Sequence, residues 1–231
     1  MRILAIMPAR SGSKGIKNKN LTKLNGKPLV FYTLKILRGL KNFVYPFIST
    51  DSKLILNYSK KFGYNQTYLR PKKLSLDKSN VVDAVLHSIK WLEHKKLHFD
   101  YVLLLEPTSP IRNLKKLIKI IKKVLEQDIE TSASISKLPF HPNETIFKKN
   151  KKWEFVKKSK KNVYQRQNFD QNYFFIDGCF YLCKINFLKK HKKFILENKT
   201  HLFLNDISYP VDINNHIDLK IAEVIMKYEK R

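Results

Sequence analysis

A short apolar run, Ile3 to Ala9, opens without a break into Arg10-Ser11-Gly12-Ser13-Lys14-Gly15-Ile16-Lys17-Asn18-Lys19-Asn20. This junction limits the chain more than any other stretch. An apolar strand that ends in a basic, glycine-containing loop is how an open parallel sheet presents its C-terminal edge to an anion. Gly12 and Gly15 let the backbone turn and come close to a phosphate, Ser11 and Ser13 can donate hydrogen bonds, and Arg10, Lys14 and Lys19 bring charge. The spacing matches neither G-x-x-x-x-G-K-[ST] nor G-x-G-x-x-G, so the loop reads as a phosphate cradle of another design, suited to a nucleoside triphosphate.

The same alternation of apolar run and polar loop recurs. Phe47 to Asp51 reads as a second strand with a polar end, and Tyr101 to Leu105 as a central strand covered on both faces. The latter ends in the rigid turn Glu106-Pro107-Thr108-Ser109-Pro110-Ile111-Arg112. Helical spacing links these strands. Leu29, Tyr32, Thr33, Ile36, Leu37 and Leu40 form one apolar face, and Leu54, Ile55, Tyr58 and Phe62 a second, ended by Gly63. Ser79 or Asn80 caps a third helix, and Leu114 to Leu125 form a fourth. Strand–helix units in series predict an α/β chain with its loops at one sheet edge. Past residue 135 the rhythm changes. Residues 137–172 predict short strands in an arm, Phe174 to Gly178 a segment ending in a turn, and Cys179 to Leu182 a strand. Residues 209–214 read as extended, and Asn214 or Asn215 caps a last helix.

At 231 residues, one α/β domain spanning 1–231 is the expectation, with 137–172 as its appendage. No apolar stretch approaches the ~20 residues that cross a bilayer, and the first run is too short for a signal peptide, so a cytoplasmic location is expected. Cys179 and Cys183 are the only cysteines and read as small buried hydrophobes. The formal charge of +27 raises nucleic acid as a partner. The cations are mostly dispersed lysines, however, so the charge reads as solvated background, and neither nucleic acid nor membrane is an expected partner.

Single residues add candidate chemistry. Strand periodicity puts Asp212 and Asn214 on one face and Val211 and Ile213 on the other. Asp212 offers Mg²⁺ a carboxylate, whereas Asn214 offers a neutral oxygen or simply caps the helix. Arg112 is either a fork for phosphate or carboxylate or a helix-start arginine. Glu106 faces a ligand or pairs with Arg112. Asp51 and Asp77 are further acids at the edge, or turn residues. There is no H-E-x-x-H, no cysteine–histidine cluster and no G-x-S-x-G, which argues against zinc and serine hydrolysis.

Taken together, M-P-A-R-S-G-S-K-G-I-K-N-K-N at 7–20, I-S-T-D at 48–51, R-P at 70–71, L-S-L-D at 74–77, E-P-T-S-P-I-R at 106–112, R-Q at 166–167, D-G at 177–178 and V-D-I-N-N-H-I-D at 211–218 resemble the acylneuraminate cytidylyltransferases, a group that includes the enzymes activating pseudaminic and legionaminic acids. The resemblance implies a Rossmann-like nucleotide-sugar transferase fold, three-layered around a mixed, mostly parallel sheet, and a homodimer built through the 137–172 arm. It implies transfer of CMP from CTP to the anomeric hydroxyl of a nine-carbon 2-keto (nonulosonic) acid, with Mg²⁺. Activation of a 3-deoxy-octulosonate, or a non-catalytic role on the same fold, are the alternatives. By the same resemblance Ala9, Arg10, Ser11, Gly12, Ser13, Lys14 and Asn20 hold the nucleotide with Arg70, Asp77 and Glu106. Arg10, Lys14, Lys19 and Asp212 carry the chemistry. Arg112, Arg166, Gln167, Asp177 and Gly178 face the sugar. Asp212 and Asn214 stand where a D-x-D pair holds the metal, with Asn214 replacing its second acid, and Glu106 stands where glutamine is common.

Overall fold

In the computed structural model, which describes residues 1–157, 173–207 and 209–229, the first apolar run becomes strand β1 (Ile3–Pro8). A small hairpin, β2 (Lys23–Leu24) and β3 (Lys27–Pro28), precedes helix α1 (Val30–Gly39). Then come β4 (Tyr45–Ser49), α2 (Lys53–Lys60), α3 (Val81–His94), β5 (Tyr101–Leu104), α4 (Leu114–Glu126) and β6 (Thr131–Lys137). A second hairpin, β7 (Ile146–Lys149) and β8 (Lys152–Phe155), stands in the arm. Strand β9 (Phe174–Lys184), α5 (Ile185–His191), β10 (His201–Leu204) and α6 (His216–Tyr228) complete the chain.

The six main strands lie in the order β10-β6-β9-β5-β1-β4. All neighbours run parallel except β9, which is antiparallel to both β5 and β6. Period-two alternation explains why β1 is apolar throughout. Ile3, Ala5 and Met7 pack under α1 and α4, while Leu4 and Ile6 pack under α3 and α5. Each fully buried Ile or Leu contributes roughly 1.5–3 kcal/mol, so this double coverage makes the sheet a rigid platform for its loops. Side-chain caps set the helix starts: Ser52 accepts from Ile55 N, Asn80 from Val82 N and Asn113 from Lys116 N.

Four local readings change. Lys27 and Pro28 belong to the hairpin, so α1 begins at Val30. Leu54 points to solvent at 68% exposure. The segment Phe174 to Gly178 does not end in a turn. It continues as one strand of 11 residues through Gly178, whose φ of +70° suits glycine, and the pairing with β6 shifts register between Ala133 and Ile135. Strand β10, absent from the sequence reading, closes the sheet's far edge.

A separate apolar cluster places the last segment. Ile16 of the basic loop, Leu24, Leu29, Val211, Ile213, Leu219 and Ala222 bury one another. Burial of Val211 and Ile213 leaves Asp212 and Asn214 exposed on the opposite face.

Candidate active site

The basic loop is anchored at both ends. Ser11 donates to Asp51 through its backbone N (2.7 Å) and its Oγ (2.6 Å), and Asn20 Nδ2 donates to Arg10 O at 2.8 Å. Asp51 is therefore a loop anchor. Gly12 has open space around its missing Cβ, whereas a Cβ at Gly15 would strike the backbone carbonyl of Asn214. Only glycine lets the loop touch the 211–214 segment here. Gly15→Ala is expected to push these segments apart and lower the rate of nucleotidyl transfer at least ~10-fold with little change in melting temperature. Steady-state kinetics beside thermal unfolding checks this, and wild-type kinetics would remove the close approach from the mechanism.

Two cations of the loop meet Asp77. Arg10 Nη1 donates to its Oδ1 at 2.6 Å, and Lys14 Nζ lies 3.7 Å from its Oδ2. The Arg10 hydrogen bond in the first place holds the Asp77 carboxyl below the usual carboxylate range. These groups are solvated, and such pairs are worth little in stability. Their effect is to hold Arg10 and Lys14 over the loop, where a triphosphate would compete for them.

Lys19 turns the other way. Its Nζ donates to Ile213 O (2.7 Å) and to Asn214 Oδ1 (3.3 Å). Burial lowers its pKa, and the charge of Asp212 opposes that fall. Asn214 Nδ2 in turn donates to Asp212 Oδ2 at 2.8 Å. The amide of Asn214 thus bridges a cation and an anion. It is not the helix cap, because Asn215 accepts from Ile217 N and Asp218 N and completes a capping box with Asp218.

A cleft of about 170 Å³ opens over the basic loop, lined among others by Arg10, Ser13, Lys19, Asn20, Arg70 and Glu106. Arg70 is buried and braces β4, with Nε on Ser49 Oγ at 3.2 Å and Nη2 on Ser49 O. Ala9 continues β1, its N donating to Ser49 O at 2.9 Å. Glu106 follows β5. Burial raises its pKa, and the negative charge of Asp212 raises it further. The backbone joins the two loops as well, since Ile213 N donates to Thr108 O at 2.8 Å.

Two residues expected to face a sugar do otherwise. Arg112 directs its guanidinium inward: Nε to Cys179 O (2.6 Å), Nη1 to Thr33 Oγ1 (3.1 Å) and Nη2 to Glu106 O (2.6 Å). It ties α1, β9 and the Glu106 turn together, which leaves it little to offer a ligand. Nor is it the ion-pair partner of Glu106, since it bonds that residue's carbonyl. Asp177 is 4% exposed and accepts from Ser134 Oγ, Ser136 Oγ (2.6 Å), Cys179 N (2.9 Å) and Asn205 Nδ2 (3.0 Å). It fastens β9 to β6 beside the bulge. Sequence reasoning missed the Ser134, Ser136 and Asn205 donors, because serines in a strand carry no long-range signal. Gly178 packs against the turn after β5, since a Cβ there would meet Ser109 Oγ at 3.0 Å. Arg166 and Gln167 lie outside the described residues. Burial pushes the Cys179 thiol up to about 12, and Cys183 is buried too, so both behave as inert core groups.

Among the described residues, no three His, Cys, Asp or Glu side chains converge to hold a metal. Mg²⁺ needs less from a protein than that, namely one or two carboxylates with phosphate oxygens and water. Asp212 fits this demand. Asn214 does not, because its oxygen faces Lys19 and its NH₂ faces Asp212.

The sheet order, with one antiparallel strand and the basic loop after β1, is the Rossmann-like fold of nucleotide-sugar transferases. It superimposes on CMP:2-keto-3-deoxy-manno-octonic acid synthetase complexed with CTP with a TM-score of 0.67, at 12% identity over 99% of this chain and 100% of that one. The chain belongs to the cytidylyltransferase family, whose profile matches residues 4–222. It is 29% identical, over 98% of its length and 97% of the relative's, to the CMP-N,N'-diacetyllegionaminic acid synthase of Legionella pneumophila. It is 25% identical, over 98% and 97%, to the pseudaminic acid cytidylyltransferase of Campylobacter jejuni. No helix among the described residues is long and apolar enough to cross a membrane.

Proposed function

We propose that this protein transfers CMP from CTP to the anomeric C2 hydroxyl of a nine-carbon 2-keto sugar acid of the legionaminic, pseudaminic or N-acetylneuraminic kind. The hydroxyl oxygen attacks the α-phosphorus and releases its proton to solvent, the bond from that phosphorus to the bridging oxygen of the β-phosphate breaks, and its electron pair leaves with pyrophosphate. One observation carries this reading: the basic loop packs against the 211–214 segment through Gly15 and Lys19, which sets the loop's cations beside the segment that bears Asp212.

Positioning and charge neutralisation supply most of such a reaction. Arg10 and Lys14, held over the loop by Asp77, take the outer phosphates, with the loop's backbone and Ser13 beside them. Lys19, fixed to the 211–214 segment, is placed to meet a more buried phosphate. Asn20 keeps the loop closed, and Arg70 keeps β4 in register with it. Asp212 would hold Mg²⁺, which when bound withdraws charge from the phosphates. The sugar lies over the Glu106–Ser109 turn and Gly178, with Arg166 and Gln167 as the candidates for its carboxylate.

The arm supports a homodimer. Its hairpin exposes Ile146 (50%), Trp153 (66%) and Phe155 (54%), apolar area that a second copy would cover. Trp153→Asp with Phe155→Asp is expected to halve the mass read by light scattering after size exclusion; an unchanged mass would remove the arm from the interface.

The direct test is pyrophosphate release with CTP, Mg²⁺ and a panel of eight- and nine-carbon 2-keto acids. Turnover with at least one nine-carbon acid is expected, and none with any acid on the panel would overturn the proposal.

A further inference from the structure

Three cations of the basic loop are held by different kinds of oxygen. Arg10 and Lys14 meet the carboxylate of Asp77, at 2.6 and 3.7 Å. Lys19 Nζ meets two neutral oxygens, Ile213 O at 2.7 Å and Asn214 Oδ1 at 3.3 Å. A carboxylate stands one step further on, because Asn214 Nδ2 donates to Asp212 Oδ2 at 2.8 Å. The amide serves both partners in one orientation only. Turned over, it would set its NH₂ against an ammonium and its oxygen against a carboxylate. The backbone here is fixed as well. Asn214 N donates to Asp218 Oδ2 at 2.7 Å, the Asn214 carbonyl lies against Gly15, and Ile213 N is tied to Thr108 O at 2.8 Å.

We infer that Asn214 is a positioning residue, whose amide keeps the Lys19 ammonium apart from the Asp212 carboxylate and so leaves Lys19 ready to take a phosphate oxygen of the nucleotide; this rests on the cytidylyltransferase function. A lysine already paired with a carboxylate gives up a charged contact when it turns to a phosphate, and the exchange gains little. A lysine on neutral oxygens exchanges weaker bonds for one between two charges. Lys19 lines the cleft and is partly desolvated, so the difference counts for more there than in the solvated group of Arg10, Lys14 and Asp77. Neither alanine nor aspartate at position 214 does the same. Alanine puts nothing between ammonium and carboxylate, and aspartate offers Lys19 an anion and Asp212 no donor.

The test is the calorimetric affinity for α,β-methylene-CTP, with Mg²⁺ present, across a double-mutant cycle of Asn214→Ala and Lys19→Ala. Asn214→Ala is expected to weaken binding about fivefold. Its side chain is exposed, so thermal unfolding should stay cooperative. In the Lys19→Ala background the same change is expected to cost no more than about twofold, because no ammonium remains to be kept from Asp212. A purely structural role for Asn214, or a role on the metal, predicts instead that the loss persists without Lys19. If Asn214→Ala binds the analogue within about twofold of wild type, or if its loss is undiminished in the Lys19→Ala background, the inference fails and the function stands. If wild type does not bind the analogue, both fail.

Discussion

Asp212→Ala is expected to cut pyrophosphate release at least ~100-fold, about 2.7 kcal/mol of transition-state stabilisation, while the fold stays intact. Asp212 is exposed in a segment whose neighbours Val211 and Ile213 do the packing, so truncation removes no core contact. Such surface changes usually stay within ~0.5 kcal/mol. The chemical loss is larger for two reasons. The 211–214 segment loses its only carboxylate. Lys19 also loses the charge that resists its lowered pKa, so the triphosphate's most buried cation is weakened at the same time. That second effect has its own signature. In wild type the charged lysine is lost as pH rises through its lowered pKa, and in the variant this loss should begin at lower pH. The pH dependence of α,β-methylene-CTP binding should therefore shift toward acid on its alkaline side. Turnover within twofold of wild type would sink the metal assignment, and an unshifted binding profile would sink the Lys19 coupling.

What could be read from the residues alone followed physical range. Strands β1 and β5 were legible because double coverage makes them apolar without interruption, and a cap at Ser79 or Asn80 because a cap's partner is only two or three residues away; the structure gives it to Asn80. The face of Asp212 and Asn214 followed from period two. Contacts set by tertiary packing were not legible. Nothing local says that Gly15 touches Asn214, that Asn214 bridges Lys19 and Asp212, or that the Phe174–Gly178 segment stays in the sheet through a bulge. Arg112 illustrates the same limit. A Pro-x-Arg turn at an active edge looks like a ligand-binding fork, but its acceptors lie 67 and 79 residues away, on Cys179 and Thr33.

Arg112→Ala should therefore act on stability first. The guanidinium donates to two carbonyls and one hydroxyl inside the protein, and hydrogen bonds from a charged group contribute ~1.5–3 kcal/mol each. These contributions do not add fully, and removing the side chain takes a charged donor from the Cys179 and Glu106 carbonyls, the latter keeping Ser109 N at 3.3 Å. A loss of about 3–5 kcal/mol in the free energy of unfolding is expected. Arg112→Lys should recover only a minor part, because one ammonium on a flexible stem cannot reach three acceptors that a planar fork meets at once. Urea unfolding followed by circular dichroism measures both variants. The expected pattern is a lowered midpoint for each, with KM for the sugar little changed in whatever fraction remains folded. A stable Arg112→Ala protein with a KM raised for the sugar alone would return Arg112 to the substrate and remove it from the scaffold.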